Sequence, residues 1–150
     1  MTMNTNPLAD MAFMRAFLDT VIPPGRDGRM PGAGTLGLEG GISTAVESDA
    51  RSGSLVRAGL AALAEAAAST GEAGGFPALD PAHRAKVLDD VLAEHPMLVN
   101  AVARHLYLAY YQHPTVLVAI GEPARPPFPE GFTVEPTDPE LLAKLVSRQK

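Results

Sequence analysis

The residues that could carry chemistry are four histidines and three tyrosines, and most of them fall between positions 95 and 113. Imidazole nitrogens bind metal ions and move protons near neutral pH, so the spacing of the histidines decides whether they act together. A helix rises about 1.5 Å per residue, which would separate His95 from His113 by roughly 27 Å and His105 from His113 by roughly 12 Å. A zinc ion needs its ligand nitrogens about 2 Å away. We therefore predict no metal site in this stretch.

His105 falls on the apolar side of the predicted helix, between Val102 and Leu106. A histidine in that setting is typically a core residue satisfied by one or two hydrogen bonds. An alternative is a small enzyme in which His105 and a tyrosine hydroxyl act as an acid–base pair. On a regular helix Tyr107 points away from the His105 face, which disfavours the pair. The tyrosines bury a ring and keep a polar tip, so they suit a packing rim or a protein interface equally well.

The other chemical motifs are weak. Gly32, Gly34 and Gly37 match a dinucleotide-binding spacing, but that fingerprint requires a preceding strand within a βαβ unit. Here a helix and two prolines precede the glycines, so we predict a flexible loop. The serines occupy cap or helix positions without a nucleophile elbow. The chain has no cysteine, which excludes thiolate nucleophiles and thiolate metal sites. No catalytic constellation is predicted.

Length and composition indicate one helical domain over residues 1–150. The net charge is −5 and no basic run is present, which excludes a nucleic-acid-binding footprint. No apolar run approaches the roughly 20 residues that span a bilayer. Residues 1–7 have neither a basic n-region nor a twin arginine, so the sequence as it stands predicts a soluble, cytoplasmic protein.

Turn and cap signals divide the chain into five to seven helices, and no strand has an obvious partner. The fold class predicted is therefore all-α, a single-domain bundle with Gly- and Pro-rich loops. Residues 1–6 are predicted to be a flexible N-terminus, residues 121–137 an extended proline-rich arm, and residues 138–150 a terminal helix. The segment Thr115–Ile120 could be a short strand, but a last helical turn capped by Gly121 is favoured. Other helices are predicted over residues 7–22, 38–50, 81–92 and 96–114, with Pro96 either a kink or part of the first turn. A further helix, capped by Ser52 or Ser54, is predicted to run to about Ser69.

Two groups of aromatic residues are candidates for contact with another protein. Phe13 and Phe17 lie on a different face of the first helix from Leu8 and Met11, so that helix is apolar on more than one side. Neighbouring helices could cover the whole helix, or Phe13 and Phe17 could form a patch for a partner. The second group comprises Tyr110 and Tyr111 with two anchors in the proline-rich arm, Phe128 and Phe132.

Three segments resemble the gluconate 2-dehydrogenase subunit 3 family: Leu18–Pro24, Gly32–Ile42 and Tyr110–Pro123. They occur in the family's order and at similar spacing, and the helix ending in Ile-Pro-Pro is among their best marks. Members of this family are small helical subunits. They accompany a large flavin-containing subunit of the glucose–methanol–choline oxidoreductase type, often with a cytochrome c subunit.

The resemblance implies an accessory role without a cofactor in this chain, the FAD being held by the partner. Many members carry a twin-arginine signal that exports the loaded partner, and this sequence departs from the family there. A periplasmic location within an exported complex is the alternative to the cytoplasm. The alternative function is a stand-alone helical interaction module, a homodimer that buries the same surface against itself.

Overall fold

The computed structural model describes residues 6–124 and 137–147. These residues form three short 3-10 helices, Pro7–Ala9, Ala33–Thr35 and Phe76–Ala78, and no strand. The all-α prediction is therefore confirmed, with seven α-helices in the described part of the chain. They are α1 (Met11–Val21), α2 (Glu39–Ser48), α3 (Gly53–Ala68), α4 (Pro81–Leu92), α5 (Leu98–Gln112), α6 (Pro114–Ala119) and α7 (Pro139–Ser147).

Side-chain caps decide where several helices begin. The Asp80 carboxylate accepts hydrogen bonds from the backbone N–H groups of Ala82 and His83 at 3.0 and 3.1 Å, and α4 starts at the next residue, as predicted. The first helix begins later than predicted. Asn6 caps only the 3-10 turn Pro7–Ala9, and Asp10 then caps α1 through the N–H groups of Ala12 and Phe13.

The core is built around α1. Met14, Phe17 and Leu18 are fully buried, and Phe13 packs against Phe76 with ring centroids 5.3 Å apart. The other helices supply side chains with 1 % exposure or less, among them Val46, Leu60, Leu63, Leu98, Val102 and Leu106. A helix apolar on several sides is thus covered by its neighbours, which is the first of the two interpretations drawn from the sequence.

Glycines permit two close contacts in this core. A Cβ atom at Gly34 would lie 2.3 Å from the carbonyl oxygen of Arg15, so the loop after α1 can lie directly on that helix only because residue 34 has no side chain. The loop is packed, not free, which corrects the flexible loop predicted for the Gly-x-Gly-x-x-Gly segment. At Gly59 of α3, a Cβ would lie 2.8 Å from Leu98, so this glycine lets α5 approach α3.

Candidate partner-binding site

Helix α5 is apolar on two opposite faces. Its inner face enters the core through Leu98, Val102, Leu106 and Tyr110, which are spaced four residues apart. Its outer face is in solvent, and the large side chains there are about half exposed. They are Met97 at the N-cap (52 %), Tyr107 (48 %), Leu108 (55 %) and Tyr111 (51 %). A soluble helix normally pairs a core face with a polar face, so this second apolar face is the strongest candidate for partner binding.

The tyrosines of α5 connect the core to the outer face. The Tyr110 ring is buried, and its hydroxyl donates a 2.7 Å hydrogen bond to the carbonyl oxygen of Pro31. Burial and the neighbouring Tyr111 phenol raise the pKa of Tyr110, so its hydroxyl stays a donor at neutral pH. Tyr111 packs edge-on against Tyr110 at 5.2 Å and lies 6.3 Å from Tyr107. The exposed pair Tyr107 and Tyr111 is therefore positioned by the buried, hydrogen-bonded Tyr110 ring.

The apolar outer surface continues in sequence into α6. His113 caps this helix, and Val116 anchors it in the core. Val118 and Ile120 are exposed, before Gly121 (φ 88°) ends the helical segment. The last described helix, α7, also exposes large apolar side chains, those of Leu141 and Val146.

The charge of this region differs from that of the chain as a whole. Residues 98–121 contain no aspartate or glutamate, although the full chain has a net charge of −5. Arg104 is exposed on α5, three residues before Tyr107 and four before Leu108. Within residues 6–124 and 137–147, no ion pair or side-chain hydrogen bond involves Arg104. The outer face is therefore mostly apolar, with exposed Asn100 as a neutral polar member and the positive charge of Arg104 in its middle.

The residues predicted to contact a partner differ in their exposure. Phe13, Phe17 and Tyr110 are buried, so they are core residues and not the exposed patch that the sequence allowed. Tyr111 is exposed, and its contact with a partner stays a prediction. Phe128 and Phe132 lie outside the described residues.

Sequence reasoning missed Met97 and Leu108 as members of the outer face. The signal was present in their spacing, because Met97, Arg104, Leu108 and Tyr111 follow one another at intervals of seven, four and three residues. These intervals place the four residues on one face of a helix, and that face lies opposite the core residues of α5.

The histidines do not form a common site in the structure. His105 is partly buried, and its Nε2 atom lies 3.6 Å from a carboxylate oxygen of Asp49 in the turn after α2. It sits at the edge of the core beside a carboxylate, not within the apolar face as predicted. The exposed His83 contacts Asp80, and its ring hydrogen bond lowers the pKa of that capping carboxyl. Among the described residues, no group of three or more His, Asp or Glu could hold a metal ion.

One cleft of the molecule is lined by charged groups that serve the fold. This cleft of about 460 Å³ lies between the end of α1 and the start of α4, beside Asp19 and Arg84. Arg84 donates hydrogen bonds to the carbonyl oxygens of Leu79 and Pro77, and Asp19 accepts one from the N–H of Gly34. Arg84 and Asp19 thus hold loops in place, and these hydrogen bonds account for the positions of the two side chains.

No helix in the described part of the chain is long and apolar enough to cross a membrane.

Fold and surface together define a small helical protein whose prominent surface feature is an apolar helix face, which is typical of a subunit. The sequence matches the family described as Gluconate 2-dehydrogenase subunit 3 over residues 9–120, well over half of the chain. The chain therefore belongs to the gluconate 2-dehydrogenase subunit 3 family, as the resemblance of its sequence segments predicted. No curated protein and no solved structure matches it significantly.

The matched region covers α1 to α6 and ends at Ile120, at the end of the α6 segment. It includes the whole outer face of α5 and excludes α7. The surface formed by Met97, Arg104, Tyr107, Leu108 and Tyr111, called the α5 outer face below, thus lies within the matched region.

Proposed function

We propose that this chain is a non-catalytic accessory subunit, which binds and stabilises a large FAD-dependent dehydrogenase subunit of the glucose–methanol–choline type acting on a sugar or polyol. The observation that carries the proposal is the α5 outer face, four half-exposed large apolar side chains on a helix whose other face is in the core. Membership of a family described as a dehydrogenase subunit supports a dehydrogenase subunit as the partner.

Physical chemistry favours a bound state for this face. Burying apolar surface is worth about 25 cal/mol per Å², and a half-exposed tyrosine or leucine leaves much of that free energy unused. The fold holds the two tyrosines of this face in place without the partner, because Tyr111 packs against the buried Tyr110 ring and lies beside Tyr107. A preformed, rigid surface loses little conformational entropy when it binds.

Stabilisation of the partner follows from mass action. A subunit that binds only the folded flavoprotein adds about 2.7 kcal/mol to its stability when the subunit's concentration is 100 times the dissociation constant. Such a subunit needs no reacting group of its own. In this proposal the FAD and the hydride chemistry belong to the large subunit, and a cytochrome c subunit is a further candidate member of the complex.

Capture at native expression level tests the proposal. A tagged form of this chain should co-purify with one large protein that shows a flavin absorption spectrum, has a glucose–methanol–choline-type sequence and oxidises a sugar or polyol. The purified large subunit alone should melt at a lower temperature than the complex. Capture of no flavoprotein, or a flavoprotein whose melting temperature is unchanged by this chain, would contradict the proposal.

A homodimer is the competing function, since two copies could bury the same face against each other. Light scattering separates the two. A monomer that becomes a mixed complex on addition of the flavoprotein supports the accessory role, whereas a stable dimer that ignores the flavoprotein supports the homodimer.

A further inference from the structure

The α5 outer face carries one positive charge, that of Arg104, among apolar side chains, and this charge limits which surfaces can cover the face. We propose that it docks against an apolar surface of the large flavoprotein subunit that places a carboxylate opposite Arg104. This inference rests on the proposed function and adds to it the location of the contact and the chemistry of the surface that meets it.

The position of Arg104 argues for a partner with an acidic group. The apolar members of the face extend from Met97 to Tyr111, and Arg104 stands midway between these two residues. At a helical rise of about 1.5 Å per residue, the face is roughly 21 Å long. A partner that covers its whole length must cover the guanidinium as well. Burying an unpaired charge is costly, so the covering surface has to supply a counter-charge.

The same position argues against a second copy of this chain. If two copies pair their outer faces in parallel, each residue meets its own counterpart across the two-fold axis. If they pair in antiparallel fashion with full overlap, the axis passes through the midpoint of the face, which is again residue 104. In both arrangements two arginines meet, and no acidic residue between positions 98 and 121 is available to neutralise them. Self-association through this face is therefore disfavoured, whereas an acidic partner is favoured.

The neighbours of Arg104 suit it to a central contact. Tyr107 and Leu108 follow it by three and four residues, so they lie beside it on the helix surface. Tyrosine and arginine are among the residues enriched where binding energy concentrates. A carboxylate that reaches Arg104 between these side chains would be shielded from water, which strengthens the ion pair relative to one at the surface.

The area of the face indicates that the contact extends further. A buried aromatic side chain covers about 150–250 Å², so two half-exposed tyrosines with Met97 and Leu108 offer roughly 400 Å². A standard stable interface buries about 800 Å² on each partner. The face is thus the centre of a larger contact. The exposed side chains of Val118 in α6 and of Ile120 just after it are the nearest apolar candidates in sequence for the rim of that contact.

Charge reversal at Arg104 tests the inference. The probe is the purified large subunit with its FAD bound, and the measurement is its affinity for wild-type chain and for Arg104→Glu. We expect the variant to bind roughly 30-fold more weakly, the size of effect found at energetic centres of interfaces. The wild-type affinity should also fall with salt more steeply than that of Arg104→Gln.

Arg57→Glu in α3 is the matched control. Arg57 is also exposed on a helix, and its neighbours three and four residues away are uncharged, as are those of Arg104. We expect Arg57→Glu to bind like wild type. Melting temperatures of both variants verify that neither substitution unfolds the chain, and Leu108→Ser provides a second variant that removes apolar area without adding charge. Leu108→Ser should weaken binding as well.

These measurements distinguish failure of the proposed Arg104 contact from failure of the accessory role itself. If wild-type chain binds the flavoprotein while Arg104→Glu, Leu108→Ser and Arg57→Glu all bind equally well, the inference is wrong and the accessory role stands. If wild-type chain does not bind the flavoprotein at all, the proposed function itself fails. A homodimer that Arg104→Glu dissociates or strengthens would overturn the inference in favour of self-association.

Discussion

The hydroxyl of Tyr110 donates a 2.7 Å hydrogen bond to the carbonyl oxygen of Pro31, which joins α5 to the loop after α1 across 79 residues of sequence. The bond links the core face of α5 to the glycine-rich loop that lies on the central helix. It also fixes the ring on which Tyr111 packs. The outer face that we assign to partner binding is therefore positioned by the same residue that ties the loop to the core.

Removing that hydroxyl should destabilise the fold without changing its shape. Tyr110→Phe leaves the Pro31 carbonyl without its donor, and a lost hydrogen bond of this kind costs about 1–2 kcal/mol. We expect a melting temperature lower by about 2–4 °C per kcal/mol for a chain of this size. Tyr111→Phe is the control, since its ring is half exposed, and its stability should stay within about 0.5 kcal/mol of wild type. Equal stability of the two variants would show that the Tyr110 bond contributes nothing.

The role of Gly34 predicts a strong effect from one added methyl group. In Gly34→Ala the new Cβ would meet the Arg15 carbonyl oxygen at 2.3 Å and the Asp19 Cβ at 2.8 Å. The loop must then move away from α1, at a cost of about 1–3 kcal/mol. Gly41→Ala in α2 is the control, because its Cβ meets nothing within 4 Å and alanine is the better helix former. Urea unfolding should show Gly34→Ala destabilised and Gly41→Ala unchanged or more stable, and a tolerated Gly34→Ala would contradict the packing.

The ion pair between Arg15 and Glu39 predicts a specific pH dependence. Burial alone would raise the pKa of Glu39, but the hydrogen bonds and the charge of Arg15, with a backbone N–H, outweigh it and lower the pKa. A lowered folded-state pKa gives stability that is present above the unfolded value of about 4.3 and is lost as the pH falls through the folded value.

Comparison with Glu39→Gln isolates this effect from the other carboxylates. The variant should be less stable than wild type at pH 7, because the buried partner of Arg15 no longer carries a charge. The difference should shrink as the pH falls below the unfolded pKa of about 4.3 and through the lower pKa of folded Glu39. Denaturant unfolding between pH 7 and pH 3 measures it. A difference that stays constant over this range would mean that Glu39 is not held ionised by Arg15.

Substitution of Phe17 tests whether this residue belongs to the core or to the partner contact. Its side chain is fully buried in α1, so Phe17→Ala should cost about 3–5 kcal/mol, a large part of the 5–15 kcal/mol typical of a domain. Met11→Ala on the same helix should cost far less, because Met11 is exposed. Thermal unfolding of the two variants is sufficient. A stable Phe17→Ala chain that fails to bind the flavoprotein would instead place Phe17 at the interface.

Local signals in the sequence predicted most helix boundaries. Pro23-Pro24 ends α1 two residues upstream, and the pairs Asp80-Pro81 and Asp138-Pro139 start α4 and α7. These features were predictable because a cap acts on backbone groups only two or three residues away. The 3-10 turn before α1 was missed, since Asn6 and Asp10 both offer a capping oxygen and only the packed structure chooses between them.

The surfaces could not be predicted in the same way. Both faces of α5 are apolar, and the pattern alone does not say which one meets α2 and α3. Phe13 and Phe17 pose the same ambiguity on α1, and there the neighbours cover them. The glycine spacing of the loop was equally ambiguous, because the need for Gly34 comes from Arg15, a residue on another element. Each of these questions depends on contacts distant in sequence.

Site-specific cross-linking tests the central claim, that the α5 outer face contacts a large flavoprotein subunit. A photoreactive amino acid would replace Leu108, and in a second protein Arg57, and each would be irradiated with the purified flavoprotein. We expect an efficient cross-link from position 108 to the flavoprotein near an acidic residue, and little cross-linking from position 57. A cross-link from position 57 alone, from neither position, or from position 108 only to another copy of this chain would contradict the claim.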